Sequence, residues 1–314
     1  MRDRFCSYYT NSKDITKYMV SKLGVVDNDV ILEPSAGEGI FIDEVLEADK
    51  LVQIDALDIN SDAISILKKK YEDNSAVVVR ETDTLLDEQL DLYSISQLWL
   101  KQTDTLFDKQ LDMFSSLGGH YTKVIGNPPY GAWQDYEKRD ILKKKFAGHY
   151  VKETYSLFLL RCISVLRMNG RLSFIIPDTY LFLNMHSRLR ELILTNTKID
   201  EILIFPSKFF PGVSFGYSNL SIITLERCDK KSALDNTFRI IQGFNSSSEF
   251  GTLLGNETER PENLQIFSFK QRDILENEQC RVILAESKTS TLLSQSAQKL
   301  GDVADVVTGF YTGD

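Results

Sequence analysis

Cysteine and histidine are scarce in this chain, with four of the first and three of the second among 314 residues. Cys6, Cys162, Cys228 and Cys280 stand far apart, form no C-x-x-C pair and have no histidine cluster beside them, which argues against a zinc site. The expectation for a metal is none, and the thiols read as reduced, as in a cytoplasmic protein of bacterial type. No run approaches the ~20 apolar residues that a bilayer crossing needs, and the opening MRDRFCSYYTNSKD lacks an apolar signal core, so no membrane partner is expected. Positive charge is also in deficit. A net charge of -9 and a pI near 5.1 exclude a surface that tracks phosphates throughout, and confine any nucleic-acid contact to a local basic patch. What is present is 42% hydrophobic residues at a mean hydropathy of -0.20, enough for one good-sized core and a second, incomplete region.

Residues 30 to 226 alternate short β-rich runs with helical patterns, the sequence form of βαβ units, and predict an α/β, doubly wound, mostly parallel sheet. The predicted strands are VILE (30–33), VQIDALD (52–58), AVVVR (76–80), KVIG (123–126), RLSFIIP (171–177), KIDEILIF (198–205) and LSIITLE (220–226). Apolar residues at i, i+3 or i+4 spacing mark helices in FIDEVLEA, DAISILKKKY, SLFLLRCISVLRM and HSRLRELILT. Asn11 or Ser12 can cap an earlier helix that carries Ile15, Met19 and Leu23 on one face. TDTLLDEQLDLYS (82–94) recurs as TDTLFDKQLDMFS (103–115), identical at nine of thirteen positions, which marks a local duplication of amphipathic turns. After residue 227 the pattern weakens into polar sequence, resumes at FSFKQRD and RVILAE, and ends with KLGDVADVVTGFYTGD, as in a fragment of a longer protein.

Asn127-Pro128-Pro129-Tyr130 follows directly on KVIG. Neither proline can donate to a ladder, so the strand must stop there in a rigid loop at its carboxyl end, where open α/β sheets bind ligands. Such a loop can aim the Asn127 side-chain oxygen and the Pro128 carbonyl at one amino group, leaving the nitrogen lone pair facing away, and the flat Tyr130 ring can stack on a base. The bland alternative is an ordinary N-P-P turn. In ILEPSAGEGIF (31–41) a strand passes through a glycine loop into a helix. Gly37 and Gly39 let the backbone approach a ligand, while Glu33 and Glu38 would repel a pyrophosphate. Acids beside such a loop suit a cofactor with an ammonium and a sulfonium, which is the description of S-adenosylmethionine. Asp58 closes the next strand, within ALDIN, and can accept both ribose hydroxyls, unless it only caps a helix. Asp83 follows AVVVR and can accept from the cofactor's adenine amine; its duplicate Asp104 follows the mixed run SQLWLKQ and stays the second choice.

The order YYTN, EPSAGEGIF, ALDIN, TDTL, GNPPYG, spanning residue 5 to about 226, resembles the adenine-specific DNA methyltransferases of restriction-modification systems, in which a target-recognition domain follows the catalytic one. The resemblance implies methyl transfer to the N(6) amine of an adenine flipped out of double-stranded DNA, with Asn127, Pro128, Pro129 and Tyr130 at the reacting amine. It also implies that Thr10 meets the methionine carboxylate, that Glu33, Ser35, Ala36, Gly37 and Gly39 surround the methionine, that Asp58 and Ile59 hold the ribose and Asp83 the adenine. Phe210, in SKFFPGVSFGYSN, resembles the aromatic that covers the flipped base, with Phe205 as its rival and core packing as the alternative for both. The chain departs from the family in carrying Tyr9-Thr10-Asn11 where Y-T-P is usual, and in the duplication. The expected organisation is a catalytic domain over 1–226, an extension or connecting region over 227–290, and the start of a truncated target-recognition domain over 291–314. An endonuclease, fused or separate, is an expected partner, and the basic run KRDILKKKFAGHYVK (138–152) could contact phosphates or simply be a solvated face. The same loop could instead methylate a protein glutamine or a ribosomal RNA guanine, or the chain could be a non-catalytic subunit of a DNA-modification complex.

Overall fold

A computed structural model describes residues 12–94, 119–131, 136–210, 219–255, 261–285 and 303–304. The chain divides into one compact unit over Met1–Arg281 and a second over Val282–Asp314; of the second, only 282–285 and 303–304 are described.

Each apolar run identified in the sequence becomes a strand: β1 (Val30–Glu33), β2 (Gln53–Asp58), β3 (Val77–Glu81), β4 (Tyr121–Gly126), β5 (Leu166–Pro177), β6 (Thr197–Pro206) and β7 (Asn219–Arg227). They join two more, β8 (Thr237–Gln242) and β9 (Gln265–Lys270), in one sheet of order β3-β2-β1-β4-β5-β7-β6-β8-β9. Strands β1 to β5 pair in parallel, β7 lies antiparallel between β5 and β6, and β8 returns to parallel against β6. The strand order reverses between β1 and β4, so a crevice opens outside the carboxyl ends of those two strands, at Glu33 and Gly126.

The helices are α1 (Lys13–Leu23), α2 (Ile40–Glu47), α3 (Ser61–Lys70), α4 (Glu88–Tyr93), α5 (Tyr136–Lys145), α6 (Thr154–Val165), α7 (Ser187–Asn196), α8 (Lys230–Leu234) and α9 (Gln271–Glu276). Ser12 stands at the N-cap of α1, whose Ile15, Met19 and Leu23 face is fully buried. Every residue of α6 from Tyr155 to Val165 is buried, as suits a helix that is apolar on most sides. Its one arginine, Arg161, donates inside the protein to Ser94 Oγ at 2.6 Å and to the Asp87 carbonyl at 2.8 Å, which anchors α4.

Sequence beyond residue 226 continues the same sheet. Ile202 and Leu203 of β6 pair with Ile240 and Ile241 of β8, and β9 pairs in turn with β8. The buried Gln271 amide fixes this extension: its oxygen accepts from Ile199 N and Asn236 Nδ2, both at 2.8 Å, and its nitrogen donates to the carbonyls of Leu194 and Thr197. Residues 291–314, read as the start of a recognition domain, lie outside the described residues apart from 303–304. The second copy of the duplication, with Asp104, also lies outside them. Among the described residues no helix is long and apolar enough to cross a membrane.

Candidate active site

The glycine loop leaves β1 at Glu33 and enters α2 after Gly39. Its backbone is held by the neighbouring strand: Ala36 N donates to the Leu57 carbonyl and Gly37 N to Asp58 Oδ2, both at 2.8 Å. Asp58 Oδ1 accepts from Asn60 N, also at 2.8 Å. The cap of α3 is Asn60, whose side chain accepts from Asp62 N, so Asp58 is left to brace the loop from the end of β2. Gly37 and Gly39 both have positive φ, 53° and 80°. At Gly39 a Cβ would lie 2.7 Å from the Tyr71 hydroxyl and 2.8 Å from Leu67 Cδ2, so this glycine is required by the packing of α3 on the loop.

Glu33 is the last residue of β1 and is 1% exposed. Its Oε2 has no hydrogen-bond partner. Burial, then the nearby Asp58 and Asp43 carboxylates, push its pKa well above the usual carboxylate range, opposed only by Lys70. Lys70 itself is committed to Asp43 Oδ2 at 2.5 Å and to the Glu38 carbonyl at 3.0 Å. A buried carboxyl oxygen without a partner, at a strand end with further acids nearby, fits a cationic ligand.

Asp83 lies two residues past β3. Leu85 N donates to its Oδ1 at 3.1 Å, and Lys138 Nζ of α5 lies 2.6 Å from its Oδ2. Ile59 is exposed beside Asp58. Thr10 lies outside the described residues.

On the other side of the crevice β4 ends at Gly126, where a Cβ would stand 3.3 Å from Pro34 Cδ, so the two loops are in close contact. Ser35 Oγ donates to the Asn127 carbonyl at 3.2 Å, and Thr84 Oγ1 donates to the Pro34 carbonyl at 2.5 Å. These bonds fix Asn127 relative to Glu33. The loop exit is pinned where the Gly131 carbonyl accepts from Thr154 N at 3.0 Å and Thr154 Oγ1 at 2.8 Å. Pro128 is buried, and Asn127 and Pro129 are half-buried. Tyr130 is buried, and its hydroxyl is shared between Asn127 Oδ1 and the Ile175 carbonyl of β5, the latter at 3.2 Å. In this state the ring offers no open stacking face, and the hydroxyl sets the orientation of the Asn127 amide.

Phe210 ends the turn after β6 and is buried against Phe205, ring centroids 6.3 Å apart and planes 19° from parallel. Phe205 also packs on Phe209 and edge-on to Phe250, in a cluster that fills the space beside β6. Residues 211–218, which follow Phe210, lie outside the described ones. Two polar residues at this edge were not singled out in the sequence. Asp178 follows β5 directly, accepts from Asn219 Nδ2 at 3.3 Å, and has its pKa raised by burial. Lys138 was seen only as part of a basic run. The signal that would have found Asp178 is its place one residue past a strand end, which it shares with Asn127.

The Eco57I restriction-modification methylase family matches residues 42–210. The type II methyltransferase M.HincII of Haemophilus influenzae is 26% identical over 237 residues, covering 70% of this chain and 39% of that protein. The type II methyltransferase M.AccI of Acinetobacter calcoaceticus is 22% identical over 322 residues, 99% of this chain and 52% of that one. The chain therefore spans about two fifths to one half of these relatives. Among solved structures, the M protein of the type I restriction enzyme EcoKI superposes with a TM-score of 0.54 at 13% identity, covering 77% of this chain and 49% of that one. A class I S-adenosylmethionine-dependent methyltransferase of Listeria monocytogenes superposes with a TM-score of 0.51 at 18% identity, covering 73% of this chain and 63% of that one. With the sheet order, these neighbours identify the fold as that of class I S-adenosylmethionine-dependent methyltransferases.

Proposed function

Because the chain belongs to the Eco57I restriction-modification methylase family, we propose that it transfers a methyl group from S-adenosylmethionine to the N(6) amine of an adenine flipped out of double-stranded DNA. The observation that carries this reading is the bond between the two loops. Ser35 Oγ, in the loop after β1, holds the Asn127 carbonyl in the loop after β4 close to the unpartnered Glu33 carboxyl oxygen, which supports a cation site beside a pair of amine acceptors.

When bound, S-adenosylmethionine supplies an electrophilic sulfonium methyl, whose carbon–sulfur bond breaks as the carbon–nitrogen bond forms, with S-adenosylhomocysteine leaving and one amine proton passing to water. Glu33 would take the ammonium, Thr10 the carboxylate, Asp58 with Ile59 the ribose, and Asp83 the adenine. Ser35, Ala36, Gly37 and Gly39 would shape the wall of the methionine site. Asn127 Oδ1 and the Pro128 carbonyl would accept the two hydrogens of the target amine, so that its lone pair points away from both. A carboxamide oxygen has two lone pairs, and Tyr130 takes one of them. That bond sets the orientation in which the oxygen would meet the amine. Catalysis of this kind rests on positioning and on dipoles set before the reaction. Extruding the base costs a few kcal/mol, of which aromatic stacking by Tyr130 or Phe210 would offset ~1 to 3 kcal/mol. Both rings are buried here, so stacking on either requires the base to enter against a repacked edge. An endonuclease, in the same chain or another, would complete the restriction-modification system.

The test is nucleoside mass spectrometry of plasmid DNA from a methylation-deficient bacterial host that expresses the chain or its Asn127→Ala form. N(6)-methyladenine only with the intact loop supports the reading, provided that both proteins bind S-adenosylmethionine with similar affinity. Methylcytosine, or loss of cofactor binding in the variant, would refute it.

A further inference from the structure

Two ion pairs tie α5, the helix after the Asn127 loop, to the segment after β3. Lys138 Nζ lies 2.6 Å from Asp83 Oδ2, and Lys145 Nζ lies 2.7 Å from Asp91 Oδ1. Seven residues is about two helical turns, so both lysines leave the same side of α5 as the buried Leu142 between them. The two pairs differ in what else holds the acid. Asp91 also takes the buried Arg161 at 2.7 Å, which makes its pair part of the scaffold. Asp83 has one oxygen fixed by Leu85 N, and the other is held by Lys138.

We infer that Lys138 is a positioning residue shared by two ligands: in the free protein it holds the Asp83 oxygen that the cofactor's adenine amine would take, and once displaced it pairs with a DNA phosphate. This rests on the reading of Asp83 as the adenine acceptor. The amine hydrogen and the ammonium compete for one oxygen. The side chains of the pair are 26% and 19% exposed, so solvent screens their attraction and the pair stays weak enough for a neutral donor to displace. A fully buried pair would not yield in this way. The displaced ammonium has a destination. Lys143 and Lys144 are exposed on the same helix, a local positive patch on a chain of net charge -9, which is what a phosphate backbone would meet first. Linkage then makes the effect reciprocal: by whatever factor DNA draws Lys138 from Asp83 and tightens the cofactor, the cofactor tightens DNA.

Calorimetric titration of S-adenosylmethionine into the full chain tests this. Lys138→Met should tighten binding about two- to fivefold at low salt, the range of a partly exposed ion pair. The gain should vanish at high salt, where the wild-type pair is already screened. Lys145→Met, with the same charge change on the same helix, should move nothing. Mixed-sequence duplex DNA should tighten cofactor binding in the wild type and not in Lys138→Met. Unchanged or weaker cofactor binding in Lys138→Met overturns the inference. Adding Asp83→Ala to the Lys138→Met background separates the two readings. If that second change leaves affinity unaltered, the adenine-acceptor role fails; if it weakens binding while Lys138→Met alone gave no gain, only the shared role of Lys138 fails.

Discussion

Replacing Glu33 by Gln should make the free protein more stable and the cofactor complex much weaker. The two effects have one origin. Glu33 is fully buried with Oε2 unpartnered, and Asp58 and Asp43 add to the burial in raising its pKa from an ordinary 4.5. Between that value and the raised one, the folded protein keeps a proton that the unfolded chain has released. Stability is therefore full below pH 4.5 and falls as pH rises through the window, by at most about 1.4 kcal/mol per pH unit. Glutamine keeps the shape, removes the ionisation, and should abolish this slope. Glutamine removes this linkage cost while keeping the side chain's volume, so the free variant should melt a few degrees above wild type at neutral pH. A hydrogen bond from an ammonium to the carboxylate contributes about 1.5 to 3 kcal/mol, so S-adenosylmethionine should bind roughly ten- to 150-fold more weakly. Scanning calorimetry from pH 5 to 8, without and with the cofactor, reads both. A lower melting temperature for the free variant would mean that Glu33 is a structural partner, and less than about threefold loss of affinity would remove it from the cofactor site.

Three further substitutions test the frame around it. Tyr130→Phe keeps the ring and loses the hydroxyl that orients Asn127; single-turnover kinetics should show the rate constant falling about three- to tenfold at unchanged cofactor affinity, whereas a rate equal to wild type would leave the tyrosine only its ring. His186 is buried between the Tyr155 hydroxyl and Ser156 Oγ, at 3.1 and 3.2 Å, and burial with the nearby Arg190 lowers its pKa from 6.5 to about 4. Here the unfolded chain binds the extra proton, so stability is full above pH 6.5 and declines as pH falls toward 4, with about 1 kcal/mol lost in the first unit; urea titrations should find that loss in wild type and not in His186→Asn. Gly39→Ala places a methyl 2.7 Å from the Tyr71 hydroxyl at φ 80°, whereas Gly24→Ala at φ 65° meets nothing within 4 Å. The first should cost about 2 to 3 kcal/mol in urea unfolding and the second about 1; equal losses would show that backbone strain alone is at work.

Periodicity made the first seven strands legible because they are runs of β-branched and apolar residues, most of them buried on both faces, and even the edge strand β3, with Val78 exposed, keeps its three valines in a row. The eighth was not legible. TFRIIQ is short and flanked by polar sequence, and only its pairing with β6 and β9 distinguishes it from a loop. The Gln271 amide that fixes this region to Ile199 has no pattern at all, since one polar residue with four buried bonds looks like any surface glutamine until the chain is folded. At the candidate site, residue types and their order along the chain could be read, and partners could not. That Glu33 lacks a partner, that Tyr130 turns its hydroxyl to Asn127, and that Gly39 is needed by Tyr71 are facts of contact between segments distant in sequence.

One regularity joins the two levels. Glu33 and Asp58 are the last residues of β1 and β2, Asp83 lies two past β3, and Asn127 and Asp178 stand one past β4 and β5. The sheet order 3-2-1-4-5 lines these groups up along one edge as Asp83, Asp58, Glu33, Asn127, Asp178. Neighbouring strands are about 4.8 Å apart, so the acids span roughly two strand spacings and the amide stands one spacing further. On the proposed reading, Asp83, Asp58 and Glu33 would take the adenine, ribose and methionine ends of the cofactor in that order, with Asn127 next for the target amine. On the same reading the charges also direct the DNA: the acids of this edge repel phosphate, while α5, held beside the segment after β3, presents Lys143 and Lys144. Charge reversal at those two lysines should then weaken DNA binding while leaving cofactor affinity unaltered.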